Sequence, residues 1–241
     1  MPATTWTPTA LASEIFAWQG SGWRAVEAQH QVASMLLVGG SLPDQAVLEA
    51  ILDDAKPPIP GELDGLHWLL ATPFRYRTLA GGSRFRRADD SGVFYGAEDR
   101  QTACAEAGYW RLRFWLDSEG LAARPASLEL TLCKFNGGSP RSLDLTRQPL
   151  SADRALWINP DDYRATQALA GEARAAAIGL LRYESARRPA GICLAVLTPA
   201  VFRAVPEPYR HEQQTWHLWL APPRDVVWQR HLDRESFSFR F

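Results

Sequence analysis

The run Lys56-Pro57-Pro58-Ile59-Pro60-Gly61 constrains this chain more than any other segment. Three prolines in four residues remove three backbone donors and fix φ at about −65°, so neither a helix nor an inner strand passes through them. The break divides the 241 residues into a short part, 1–60, and a longer part, 61–241. In the short part, residues 9–54 read as helices. Trp23, Val26, Gln29, His30, Ala33, Leu36 and Leu37 recur at spacings of three and four, the period of one helical face. Ser41, Pro43 and Asp44 make a helix start, and Val47, Leu48, Ile51 and Leu52 supply its apolar stripe. The expectation is an N-terminal helical extension that packs on a main domain.

After the break the pattern changes. Phe74–Arg77 and Val93–Gly96 read as short strands, and Asp99–Leu116 as a helix with Thr102, Glu106 and Trp110 on one side. Ala103 and Trp110 read as core-facing neighbours that turn Glu106 partly inward. Ser127–Leu132 alternates with period two. Arg141–Thr146 reads as the returning strand of a hairpin across Asn136-Gly137-Gly138. Asp161–Ala177 reads as a helix, and Ile178–Tyr183, Gly191–Leu197 and Thr215–Leu220 as strands. Trp216, Trp219 and Trp228 read as core or interface. Strands and helices mix without a regular β-α-β repeat, so the expected class is α+β, a mixed sheet core with helices.

Composition excludes several function classes. The net charge of −1 gives no field for nucleic acid or a membrane surface, and lysine occurs only at Lys56 and Lys134. The cysteines, Cys104, Cys133 and Cys193, are odd in number and lack a C-x-x-C, which predicts buried reduced thiols and a reducing cytosol. No positive side chain precedes Arg24, so no Sec signal is expected. No apolar run approaches the ~18 residues of a membrane span. The five histidines show no zinc spacing, and neither a phosphate-binding P-loop nor a G-x-G-x-x-G occurs. No metal or prosthetic group is therefore expected.

The chemistry concentrates in Phe74–Glu106. Arg75, Arg77, Arg84, Arg86 and Arg87 fall within fourteen residues, around the turn Gly81-Gly82. Guanidinium groups bind phosphate oxygens in bidentate fashion, and glycine lets backbone amides approach an anion. Arg75 and Arg84 are the candidate clamp, against the alternative of surface ion pairs. Tyr76 and Tyr95 are candidates for stacking or for a ribose hydroxyl bond, against the ordinary half-buried tyrosine. Glu106, among small residues, suits a sugar carbon that becomes cationic. Ser185 has no G-x-S-x-G around it, so it is a hydrogen-bonding candidate and not a nucleophile; the alternative is a turn serine. Arg187 is a further phosphate contact or a turn charge. A phosphate grip beside one carboxylate points to a nucleotide cleaved at its ribose bond.

Four stretches resemble the RES domain family: Phe74-Arg75-Tyr76; Gly82-Ser83-Arg84-Phe85; Gly92-Val93-Phe94-Tyr95 with Thr102-Ala103-Cys104-Ala105-Glu106; and Arg182-Tyr183-Glu184-Ser185-Ala186-Arg187. The resemblance spans roughly residues 72–205. Phe85-Arg86 stands where the family often has Trp-Asn, which leaves open which of Arg84, Arg86 and Arg87 faces the ligand; Arg86 and Arg87 are expected to point to solvent. The resemblance implies an ADP-ribosyltransferase-like fold and an enzyme that consumes NAD as substrate, as a phosphorylase with inorganic phosphate or as a glycohydrolase. It implies catalytic roles for Glu106, Arg84 and Ser185 and NAD contacts from Arg75, Tyr76, Arg84, Tyr95 and Ser185, with a guanidinium in salt-bridge reach of Glu106. It also implies a cytoplasmic toxin with a helix-turn-helix antitoxin partner, and leaves a homo-oligomer open. A transferase acting on a protein or small-molecule acceptor, or a non-catalytic ligand-binding or scaffold protein on the same fold, fits the same residues.

Overall fold

The computed structural model describes residues 6–27, 35, 37–76, 81–122 and 124–241. The chain order is α1 (Pro8–Ser13), β1 (Phe16–Glu27), α2 (Leu42–Asp54), α3 (Trp68–Arg75), β2 (Phe94–Ala97), α4 (Arg100–Leu116), β3 (Ala126–Asp144) and α5 (Arg154–Trp157). There follow α6 (Arg164–Ala175), β4 (Leu180–Glu184), β5 (Ile192–Val196), α7 (Ala200–Arg203), β6 (Tyr209–Ala221), β7 (Asp225–Arg230) and β8 (Ser236–Arg240). The class is α+β, with one mixed sheet in the order β1-β2-β5-β4-β3-β6-β7-β8. Only β3–β4 is a parallel pair among the described strands. β1 also pairs with β3, from Trp18 opposite Ser139 to Glu27 opposite Leu130, so β1, β2, β5, β4 and β3 close into a ring. No helix among the described residues is long and apolar enough to cross a membrane.

Strand alternation sorts the side chains into two cores. Tyr183, Cys193 and Ala195 face the front core, with Leu11 of α1, Ala103 of α4 and Leu169 and Ala173 of α6. Phe94, Leu180, Leu194 and Val196 face the back core, with Leu69 and Leu70 of α3 and Val201 and Phe202 of α7. A third cluster joins Cys104 and Leu112 of α4 to Trp216 and Trp228 of β6 and β7. Trp216 and Trp228 are therefore core, whereas Trp219 stays exposed.

Four sequence expectations are corrected. Residues 16–27 are a strand, not helix, because β3 offers an open edge along its length and tertiary pairing overrides a weak helical spacing. The rest of that expected helical face, residues 28–34 and 36, lies outside the described residues, while Leu42–Asp54 is helical and Ser41 Oγ accepts from Asp44 N at 3.3 Å. Phe74 and Arg75 end α3 and do not start a strand; Arg77 lies outside the described residues. Gly137 and Gly138 make no hairpin, for neither has positive φ and β3 runs straight through. A Cβ on Gly137 would sit 2.9 Å from Val201, so that glycine makes room for α7. The 161–177 helix begins at Arg164, after turns that Asn159 Oδ1 holds by accepting from Asp161 N and Asp162 N.

Candidate active site

Glu106 reaches its position because α4 is fixed at its start. Asp99 caps it, accepting from Thr102 N at 2.8 Å and Thr102 Oγ1 at 2.6 Å. The loop after β4 is tied to the same turn, where Arg188 Nη1 donates to Thr102 Oγ1 and Nη2 to Gln101 Oε1. That loop delivers Ser185, which is buried. Ser185 Oγ accepts from the backbone N–H of Arg187 at 3.1 Å and of Arg188 at 3.0 Å, and donates to Glu106 Oε1 at 2.5 Å. Cys193 Sγ lies 3.8 Å from the same oxygen. No protein donor reaches Oε2 among the described residues.

Glu106 opens onto a cleft of about 360 Å³, a size in the range of ligand sites. Ser83, Arg84, Tyr95, Trp110, Tyr163 and Tyr183 line it with Trp23 of β1. Arg84 is 8% exposed; its Nη1 donates to the carbonyls of Trp157 at 2.9 Å and Asn159 at 2.8 Å, and its Cζ lies 4.6 Å from the centre of the Tyr163 ring. Nε and Nη2 make no protein hydrogen bond among the described residues, so two edges of a fixed guanidinium remain for an anion. The Tyr95 hydroxyl is shared with Ser83 Oγ at 2.8 Å and accepts from Phe85 N at 2.9 Å, which closes the turn carrying Arg84. Burial pushes the hydroxyls of Tyr95, Tyr163 and Tyr183 up, so all three stay protonated donors at neutral pH. Burial, then the Glu106 charge, pushes the Cys193 thiol well above its usual range.

The turn itself needs glycine. Gly82 has φ +68°, and a Cβ there would sit 2.2 Å from the Arg86 carbonyl. Gln167 of α6 donates to the carbonyls of Ser83 and Arg86 and fastens the turn to the helix.

The fold thus brings Arg84, Tyr95 and Glu106 to one cleft, with Ser185 bonded to Glu106 from behind and lining a neighbouring pocket, and does not bring Arg75 and Tyr76 there. Arg75 Nε donates to Pro57 O at 2.6 Å, and Tyr76 is an exposed ring beside it. Helix α3 packs on the back core, and its last turn points Arg75 toward the proline segment. Arg86 corrects another expectation, because it is buried and not in solvent. Its Nη2 donates to Tyr76 O at 3.0 Å and its Nε to Asp90 O at 3.1 Å, so it braces the loop; Arg87 is exposed. Among the described residues no guanidinium lies in salt-bridge reach of Glu106; a hydroxyl and a thiol hold it instead. Trp110 is not core-facing but 51% exposed at the cleft rim. Sequence reasoning missed Trp23 and Tyr163 as lining residues. The i, i+4 spacing of Trp110 from Glu106 was the available signal for a shared face.

The RES domain family model matches residues 59–221, two thirds of the chain. The chain belongs to the RES domain family. Ser83, Arg84, Tyr95, Glu106, Tyr163 and Tyr183 of the cleft fall inside this RES segment, whereas Trp23, Arg24 and Ala25 of β1 precede it. Among solved structures, this RES protein is similar to the crystal structure of the M. tuberculosis MbcT-MbcA toxin-antitoxin complex. The identity is 15%, over 88% of this chain and 92% of that chain, at a TM-score of 0.49. No curated protein matches it.

Proposed function

We propose that this protein removes nicotinamide from NAD, passing the ADP-ribosyl group to phosphate or water, and acts as the cytoplasmic toxin of a toxin–antitoxin pair with a helix-turn-helix antitoxin. The observation that carries the reading is the Ser185–Glu106 bond at the wall of the cleft. One carboxylate oxygen is anchored, and the other is left for substrate. There it accepts from a ribose hydroxyl and stabilises the positive charge that grows on the ribose carbon as the nicotinamide bond breaks. The leaving pyridine nitrogen loses its charge as it takes the bond pair. No general acid is needed, which accounts for one carboxylate where most glycosidases use two. Arg84 turns Nε and Nη2 toward phosphate oxygens of the substrate or of the incoming anion, and Tyr95 and Tyr183 wall the ribose side. Family membership supports the same reading.

The test is purified protein with NAD, with and without phosphate, and products weighed by mass spectrometry. Phosphorolysis gives ADP-ribose 1-phosphate, hydrolysis gives ADP-ribose, and a transferase leaves ADP-ribose on an added acceptor. Glu106→Gln is expected to lower turnover by about 10²-fold or more. Unchanged turnover in that variant excludes Glu106, and unchanged NAD excludes the reading. For the toxin role, expression without an antitoxin is expected to stop bacterial growth and deplete NAD; normal growth with abundant soluble protein counts against it.

A further inference from the structure

Strand β8 ends the sheet, and among the described residues no strand pairs with its far side. Two backbone bonds fix which of its residues face β7. Arg230 N donates to Glu235 O at 2.8 Å, and Phe241 N to Arg224 O at 3.0 Å. With a period of two, Phe237 and Phe239 also turn their N–H and C=O groups to β7. Those of Ser236, Ser238 and Arg240 point away from the sheet, and no partner reaches them among the described residues. Edges of this kind are normally blunted by proline, lysine, a bulge or an inward charge. Residues 236–240, Ser-Phe-Ser-Phe-Arg, carry none of these. Phe237 and Phe239 pack on the third core cluster, yet both are only half-buried, because that cluster stops at β8. Phe237 stacks on Trp216 with ring centres 5.1 Å apart, and Phe239 on Phe241 at 6.1 Å.

We propose that β8 pairs with β8 of a second copy of this chain, antiparallel about a two-fold axis at Ser238, so that one sheet runs through both copies. The strand is its own complement in that register. Ser238 faces Ser238, Ser236 faces Arg240, and Phe237 faces Phe239 of the second copy. Ser236, Ser238 and Arg240 all direct their backbone groups outward, so each facing couple exchanges two hydrogen bonds and no donor or acceptor of either edge is left over. The phenylalanines meet on the core face in the closer, non-hydrogen-bonded pairs, and two half-open aromatic clusters become one. Charge permits the approach. Arg240 is the only charged side chain in the strand and sits beside a serine. The two Arg240 residues stand roughly 14 Å apart, beyond the ~10 Å screening length of 0.1 M salt. Each copy offers one such edge, so the pairing closes as a dimer. β7 and β8 follow the RES segment, and the interface is independent of the chemistry at Glu106.

The experiment is analytical ultracentrifugation of the purified full chain over a hundredfold range of concentration, joined to cysteine cross-linking. A strand pair this short makes a small interface, so the mass is expected to rise with concentration from one copy to two. Ser238→Pro removes the central outward N–H, and an edge strand tolerates proline. That variant is expected to stay monomeric at every concentration, with the melting temperature of dilute wild type. Ser238→Cys is expected to cross-link to itself under mild oxidation, since the facing Cα atoms lie ~5.5 Å apart, within disulfide reach. Ser236→Cys stands roughly 14 Å from its copy and does not cross-link alone, but does when mixed with Arg240→Cys. The three native thiols are buried and do not compete. If Ser238→Pro fails to fold, the cross-linking pattern decides. A wild type that stays monomeric throughout, a species larger than two copies, a folded Ser238→Pro that still dimerises, or Ser236→Cys cross-linking alone as readily as Ser238→Cys overturns the pairing.

Discussion

A serine hydroxyl has one proton and two lone-pair positions, and Ser185 uses all three. Two backbone N–H groups occupy the lone pairs, so the proton is directed to Glu106. Ser185→Ala removes that donor and strands two backbone N–H groups. Turnover is expected to fall about 10- to 100-fold with little change in KM, and stability by about 1–3 kcal/mol; steady-state kinetics and urea unfolding measure the two. Unchanged kcat would make Ser185 a loop residue only. A second expectation concerns the thiols, all three free and buried. Burial pushes Cys104 and Cys193 well up and Cys133 to about 11, and only thiolate reacts with alkylating agents. Native protein at pH 8 is expected to take up no iodoacetamide, and denatured protein three equivalents, as read by intact mass; rapid native labelling contradicts it. At this scale the sequence was legible where several motifs follow one another in order and not in any residue by itself. Glu106, Arg84 and Ser185 each had a commoner reading alone, as an exposed, ion-pairing or turn residue, and stood out through the order of the motifs that carry them. Arg75 looked equivalent to Arg84, but which way an arginine points depends on the element carrying it. Trp110 was misread because core and rim share one helical period.

Helix α4 links the site to the third core cluster, and its fit is tight at one point. A Cβ on Gly108 would sit 2.9 Å from Trp228 Nε1 and 2.9 Å from Val226 Cγ1. Two effects oppose each other in Gly108→Ala. Helix propensity favours alanine by about 1 kcal/mol, whereas overpacking against a buried indole costs about 1–3 kcal/mol. Neither partner is a flexible chain end, so overpacking wins. The variant is expected to unfold at lower urea, and nicotinamide release to fall as Glu106 shifts; a higher midpoint would show that α4 has slack. Elements were legible in proportion to how local their cause is. The α4 start follows from its Asp99 cap and the β3 alternation from period two, so both were readable. β1 was not, because it is a strand only by virtue of β3, more than a hundred residues away. The glycines at 137 and 138 were read as a turn because sequence cannot distinguish a glycine that bends the chain from one that admits Val201.

For the whole molecule, the family match and the folding unit do not coincide. The RES segment, 59–221, omits β1, β7 and β8. Yet β1 closes the ring, pairing with β3 along its length and with β2 at Trp23 opposite Ala97. It also sends Trp18 into the back core, and α1 sends Leu11 into the front core. The break at 56–61 marked a change of pattern in the sequence, but a proline run reports where regular structure stops and not which side a strand pairs with. We therefore expect residues 6–27 and the RES segment to fold together. Burying Leu11 and Trp18 contributes about 3–6 kcal/mol, set against a net stability of about 5–15 kcal/mol for a typical domain. Removing β1 also bares an unpaired edge on β3, which invites aggregation. A chain starting at residue 28 is expected to be insoluble or to lack a cooperative thermal transition by circular dichroism, and to release no nicotinamide. A soluble, cooperatively melting, active product from that truncation would make β1 an accessory strand and the RES segment a domain by itself.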